Sequence, residues 1–206
     1  MSVIGITGGI ASGKSTFCRM LADRINAEIF DADAEARMLL ERNPEVREAV
    51  IREISTAAYD ENGEPDRAEI RRVIFADPCA KGRLEGILHP RVRERWMALA
   101  AEMREANGPL LVDIPLLFEN HLESYFSLVI TVACSRETQI QRVVARGVEA
   151  QVAELILAAQ ASTLEKITRA NFVIWNDGCL EVLESQVDEL VKPGRLDLHQ
   201  VAPPRL

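Results

Sequence analysis

"GGIASGKST", Gly8 to Thr16, follows directly on the apolar run "VIGIT" (Val3–Thr7) and is followed by Phe17, Cys18, Leu21 and Ile25 at helical spacing. A glycine loop set between a buried strand and a helix is built to hold phosphate. Gly8 and Gly13 allow the chain to turn so that successive N–H groups point inward at anionic oxygens. The helix that begins near Lys14 adds the positive end of its dipole. The stretch fits G-x-x-x-x-G-K-[ST] with Gly8, Gly13, Lys14 and Ser15 at the fixed places. Gly9, Ala11 and Ser12 supply the rest of the loop backbone. Lys14 is expected to reach the β- and γ-phosphates, Ser15 to ligate Mg²⁺ through its hydroxyl, and Thr16 to meet the α-phosphate. The loop predicts a nucleoside triphosphate held with Mg²⁺.

The bulk composition leaves room for a small anionic ligand, which needs only a local cluster of positive charge. At 206 residues the chain suits one globular unit, given roughly one domain per 100–200 residues. Its 48% hydrophobic and 27% charged residues are ordinary for a globular protein. A formal net charge of −8 argues against general nucleic-acid binding, which needs a basic face to release counterions. No run approaches the about 18 apolar residues that span a bilayer, and "MSVIGITGG" lacks a basic signal-peptide start. A cytoplasmic, monomeric enzyme without a membrane partner is the expectation. Cys18, Cys79, Cys134 and Cys179 form no C-x-x-C pair and are expected as small buried hydrophobes.

Further along, "AEIF" (Ala27–Phe30) reads as a second short strand ending at Asp31. Strands return with "PLLVDIPLLF" after the Asn107-Gly108 break, "SLVITVA" (Ser127–Ala133) and "NFVIW" (Asn171–Trp175). Helical patterns occupy Arg136–Arg146, Glu149–Ala161 and Leu180–Val191. Short apolar strands separated by helices predict an open parallel sheet covered on both faces. Residues 34–107 are helical and polar, too long for a simple crossover, and predict a sub-domain at the ligand end of the sheet. Asn43-Pro44, Asp77-Pro78 and His89-Pro90 read there as helix starts, and "ENGEPD" (Glu61–Asp66) as the main turn.

The destination of the γ-phosphoryl depends on "FDADAEAR" (Phe30–Arg37). It places Asp31 and Asp33 at the tip of the second strand. A kinase acting on an alcohol needs a base within hydrogen-bond reach of the acceptor hydroxyl. Asp33 suits that role, with Asp31 orienting it or entering the metal shell; alternatively "DADAEA" is simply an acidic helix start. No base-reading N-K-x-D is present, which weighs against a guanine-nucleotide switch.

"GITGGIASGKST", "FDADAEAR", "NGEPDR", "LHPRV", "DIPLLFE" and "AAQASTLEK…ANFVIWNDG" follow one another in the order and spacing of dephospho-coenzyme A kinases, a family of P-loop kinases. The resemblance runs from Val3 to about Val191. It implies a five-stranded P-loop kinase-like α/β core over 1–33 and 108–191, a helical acceptor-binding insertion over 34–107, and a lid over 136–165. It implies transfer of the γ-phosphoryl of ATP to the 3′-hydroxyl of dephospho-coenzyme A, with Asp33 taking the proton. Arg37 would lie near the acceptor's phosphates, Arg67 in the insertion and His89 at its edge. Leu116, Phe118 and Glu119 would line the acceptor pocket, Phe118 more closely than Leu116. Arg142 and Arg146 would close over ATP as lid cations, Arg142 serving catalysis. Asn176 and Gly178 would form the adenine-side loop.

Residue chemistry leaves plainer readings beside these. His89 before Pro90 is also a helix start, Arg67 a solvated helix charge, and Leu116 and Phe118 plain core residues. Arg142 and Arg146, four apart on one helix, repel unless an anion or carboxylate joins them. Asp113 ends the apolar run "LLV", where an acid would hold Mg²⁺ through water. Three departures from the family pattern stand out: Ala11 replaces a glycine usual in the loop, "WND" replaces the more usual Asp-Asn, and the lid stretch "GVEAQVAE" has few basic residues. Another small-alcohol kinase, or a slow nucleotide-driven regulator, are the rival readings; ADP release that depends on added dephospho-coenzyme A separates them.

Overall fold

The computed structural model describes residues 2–158 and 160–196. In chain order the elements are β1 (Val3–Thr7), α1 (Lys14–Ile25), β2 (Glu28–Asp31), α2 (Ala32–Arg42), α3 (Pro44–Glu53), α4 (Arg67–Ala76), α5 (Pro78–Glu105), β3 (Leu110–Asp113), β4 (Leu128–Ala133), α6 (Arg136–Val144), α7 (Ala150–Ala158), α8 (Thr163–Arg169), β5 (Phe172–Trp175) and α9 (Leu180–Leu190). They divide into two compact units: Asp31–Leu99, and the remainder on either side of it.

The larger unit is a five-stranded sheet in the order β2-β3-β1-β4-β5. The pairs β1–β3, β1–β4 and β4–β5 are parallel, which explains why β1, β3 and β4 are apolar on both faces rather than alternating. Ile4, Ile6, Leu111, Ile130, Val132 and Ile174 share one core with Phe17, Cys18 and Leu21 of α1 and Leu183, Val187 and Leu190 of α9. The opposite face is filled differently. Gly5 has no side chain, and the Leu117 methyl and the Phe126 ring occupy the space a Cβ would need, at 2.7 and 2.9 Å. On that side Thr131 Oγ1 donates to the carbonyl of Lys166 in α8 at 3.2 Å. Helices therefore cover both faces of the sheet.

Edge strand β5 exposes Val173 and Trp175 and buries Ile174. The Gln186 side chain of α9 bonds the Trp175 backbone twice: its Oε1 accepts from the N–H at 3.0 Å and its Nε2 donates to the C=O at 2.9 Å.

The smaller unit is helical, and its helices start where local chemistry says they should. Asn43 caps α3 by accepting from Val46 N–H, with Pro44 in the first turn, and Asp66 caps α4 by accepting from Ala68 and Glu69 N–H. Between them Asp60 Oδ1 accepts from the N–H groups of Asn62 and Glu64, both at 2.9 Å. Gly63 takes a φ of +85°, and Tyr59 bridges Pro65. This is the turn expected at Glu61–Asp66.

Several expectations are corrected. His89-Pro90 starts no helix: α5 runs unbroken from Pro78 to Glu105 with Pro90 inside it. The proline removes one helical N–H, and beside it the Arg91 guanidinium donates to the carbonyl of Ile87 at 2.9 Å. The third strand stops at Asp113, because Pro115 begins a series of turns. The helix expected through Ala161 ends at Ala158, and α8 was not anticipated at all; Ser162 caps it through Glu165 N–H. Of the four free cysteines, Cys18 and Cys134 are buried, but Cys79 and Cys179 are exposed.

Candidate active site

The phosphate loop leaves β1 and enters α1 with no side chain capping the helix. Gly13 stands at the cap position with φ +95°, and a Cβ there would lie 2.2 Å from Asn176 Nδ2. Gly8 has φ +149°, and a Cβ there would lie 2.1 Å from the carbonyl oxygen of Val132. Both glycines are fixed by contact as well as by conformation. Within the loop Ser12 N–H donates to Gly9 C=O at 3.2 Å, and Thr16 and Phe17 N–H both donate to Gly13 C=O at 3.1 Å. No backbone acceptor among the described residues takes the N–H groups of Ala11, Gly13 or Ser15, so the loop keeps a concave set of donors. Lys14 Nζ donates across it to Gly8 C=O at 3.0 Å and Gly9 C=O at 3.4 Å.

The outer side of the loop is bonded just as closely. Arg142 of α6 donates to the carbonyls of Ala11 at 3.2 Å, Ser12 at 3.4 Å and Asn176 at 3.0 Å. Asn176, buried past the end of β5, donates from Nδ2 to Ser12 C=O at 2.8 Å. Its neighbour Asp177 accepts from Ser135 N–H at 2.8 Å and from Trp175 Nε1 at 3.0 Å. Burial pushes the Asp177 carboxyl up, but these donors outweigh it and hold it below its ordinary value. Arg146 lies exposed beyond the end of α6, so it does not stack on one helix face with Arg142 as expected. Gly178 is exposed in the same turn as Asn176.

Asp113 closes β3, paired in register with Ile6, and is only 7% exposed. It therefore sits at the same end of the sheet as the loop that follows Thr7. Ser15 is exposed in the first turn of α1. A hydroxyl and a carboxylate are both hard oxygen donors suited to Mg²⁺, which keeps waters and substrate phosphates in its shell and needs no all-protein cage.

After β3, Glu119 pairs with Lys166, which is 1% exposed. Lys166 Nζ donates to Glu119 Oε1 at 2.8 Å and Pro115 C=O at 2.9 Å, and the same Oε1 accepts from Ala161 N–H at 2.9 Å. Burial raises the Glu119 carboxyl, yet the ammonium and the amide lower it further, leaving it below its ordinary value. Phe118 has no exposed surface and lies 4.7 Å beneath the Arg169 guanidinium, while Leu116 is half-buried. The expected order is reversed: Phe118 belongs to the core and Leu116 is the accessible one.

In the helical unit Asp31 is the N-cap of α2, accepting from Ala34 N–H at 2.8 Å. Asp33 follows in the first turn, and Arg37 lies one turn on; both are exposed. Arg67 forms an ion pair with Glu41, and His89 is exposed inside α5.

The model of the dephospho-CoA kinase family matches residues 2–181. The chain belongs to that family. It is 36% identical over 190 residues to the dephospho-CoA kinase of Frankia casuarinae, covering 92% of this chain and 82% of that one. To the Methylococcus capsulatus enzyme of the same name it is 38% identical, covering 92% and 95%. Among solved structures it resembles one from Thermus thermophilus with a TM-score of 0.77 at 32% identity, covering 92% and 95%. It shares its fold with the Campylobacter jejuni dephospho-CoA kinase, with a TM-score of 0.69 at 24% identity over 92% and 94% of the chains.

Family membership gives the departures a physical sense. Ala11, at the loop position where glycine was expected, takes φ +57°, the left-handed region that suits glycine. Its methyl is buried against Val143 and Ala153, so it ties the loop to α6 and α7. Three residues that touch this machinery were not singled out from sequence: Gln139, Gln160 and Lys166. The last two sit in "AAQASTLEK", a stretch that matched the family without any visible chemistry; Gln139 lies in α6, where only the helical pattern was legible.

Proposed function

We infer that the chain transfers the γ-phosphoryl of ATP to the 3′-hydroxyl of dephospho-coenzyme A, giving ADP and coenzyme A. The observation that carries this reading is the strand–loop–helix nest at Gly8–Thr16, with its inward donors and Lys14 across it, in a member of this kinase family. The Ala11, Gly13, Lys14 and Ser15 amides, the Lys14 ammonium and the Thr16 hydroxyl hold the triphosphate. Bound Mg²⁺ would supply charge neutralisation between phosphates, and Ser15 and Asp113 are the residues that would hold it. Asp33 takes the proton of the acceptor hydroxyl as its oxygen attacks in line, while Asp31 fixes the helix start that carries Asp33.

Arg37, Arg67, His89, Leu116 and Glu119 serve the acceptor. The Arg67–Glu41 pair is exposed, and such a pair is worth about 1 kcal/mol or less, so an acceptor phosphate can take over the guanidinium. Arg142 has committed donors to three carbonyls, so it acts by holding the loop to the Asn176–Gly178 turn. Arg146 is the lid cation left to meet phosphate. Positioning and charge stabilisation, rather than covalent chemistry, drive the reaction.

Asp33→Asn with saturating ATP tests the assignment. Turnover should fall by about 10²–10⁴ while ATP affinity is kept; turnover near that of the unaltered chain removes Asp33 as the base. A panel of alcohols with labelled ATP tests the acceptor: phosphoryl transfer to a nucleoside in preference to dephospho-coenzyme A would overturn it.

A further inference from the structure

Both ends of residue Ile10 are held by glutamine side chains. Its N–H donates to Gln160 Oε1 at 3.0 Å, and its C=O accepts from Gln139 Nε2 at 3.0 Å. Gln139 is 5% exposed inside α6, and Gln160 lies just beyond α7. The approach is close: a Cβ on Gly9 would lie 2.2 Å from Gln139 Nε2. The next two carbonyls, of Ala11 and Ser12, are taken by Arg142 and Asn176. Three successive carbonyls are thus bonded on the outside of the loop.

In a trans peptide the C=O and the following N–H point in opposite directions. Holding the Ile10 carbonyl outward therefore turns the Ala11 N–H inward, and holding the Ser12 carbonyl outward does the same for Gly13 N–H. Gln160, on the other side of Ile10, stops the residue from rotating about that first bond. We propose that Gln139 and Gln160 are positioning residues that pre-orient the phosphate loop by clamping Ile10 from the α6–α7 segment. The clamp makes triphosphate affinity depend on two side chains that touch no ligand. The inference rests on the reading of the loop as the ATP site.

Gln139→Met and Gln160→Met keep side-chain length and remove the bonds. Each should raise the Kd for ATP, and for inorganic tripolyphosphate, about five- to tenfold by calorimetry. KM for ATP should rise with it while kcat at saturating ATP stays within about twofold. Because either loss frees the same residue, the double variant should fall short of the product of the two effects. Affinity for adenosine, which has no phosphate, should not change. Gln160 is half-buried and outside the core, so Gln160→Met keeps the test available if Gln139→Met folds poorly. Unchanged tripolyphosphate affinity in Gln160→Met, or an equal loss for adenosine, overturns the clamp. Failure of the unaltered chain to bind ATP overturns both the clamp and the functional reading beneath it.

Discussion

Lys166→Met isolates the most deeply placed charge of the larger unit. Lys166 is 1% exposed and gives its ammonium to Glu119 and to the Pro115 carbonyl. Replacing it takes the ammonium from the Glu119 carboxylate, which keeps backbone donors such as the Ala161 amide on Oε1, whereas Pro115 C=O still accepts from Thr7 Oγ1 at 3.0 Å. Breaking one partner of a fully buried pair costs about 3–5 kcal/mol. The Glu119 side chain retains 22% exposure, which lets water relieve part of the loss and sets the expectation near the lower end, about 3 kcal/mol. For a chain of this size that lowers Tm by about 6–12 °C. The pH dependence follows from the depressed Glu119 carboxyl. A carboxyl lowered in the folded state stabilises above its ordinary value of 4.5, and that contribution is lost as pH falls through the folded value. The gap between unaltered and Lys166→Met chains should therefore be widest near neutrality and narrow in acid, and Glu119→Gln added to Lys166→Met should recover part of it. Calorimetric unfolding from pH 7 down to pH 4 measures this. A loss under about 1 kcal/mol at pH 7, or a gap that widens on acidification, refutes the argument.

Two further outcomes concern the loop and the base. Gly13→Ala places a methyl 2.2 Å from Asn176 Nδ2 at a φ of +95°, so ATP binding should be lost in a chain that still melts cooperatively; retained affinity counts against the contact. Asp31→Ala removes the α2 cap and should cost about 1 kcal/mol in chemical denaturation, with a far smaller effect on turnover than Asp33→Asn. Equal kinetic losses would put both carboxylates in the chemistry.

The sheet and the phosphate loop were legible because each is a local pattern. Apolar runs of strand length and the spacing of Gly8, Gly13, Lys14 and Ser15 need no distant partner to be recognised. Helix starts at Asn43-Pro44 and Asp77-Pro78 were legible for the same reason. His89-Pro90 misled because a proline reads as a start wherever it follows a capping side chain, and only tertiary packing decides that α5 continues through it. Phe118 and Leu116 were expected in the opposite order, since burial depends on distant neighbours such as Arg169, 51 residues beyond Phe118. The loop's outer bonds were equally hidden: Gln139 and Arg142 reach it across 129 and 131 residues. A glutamine carries no motif of its own, and its part emerges only when its amide is seen against a particular peptide.

Gln186 has a bearing beyond the fold of one molecule. Exposed strands invite neighbours to add on, since their donors and acceptors await company. At Trp175 that invitation is withdrawn by the chain's own glutamine, so a visiting strand would have to evict an amide that already matches both partners. Crowding many copies together should therefore extend this sheet less readily than the bare indole and valine on its rim suggest.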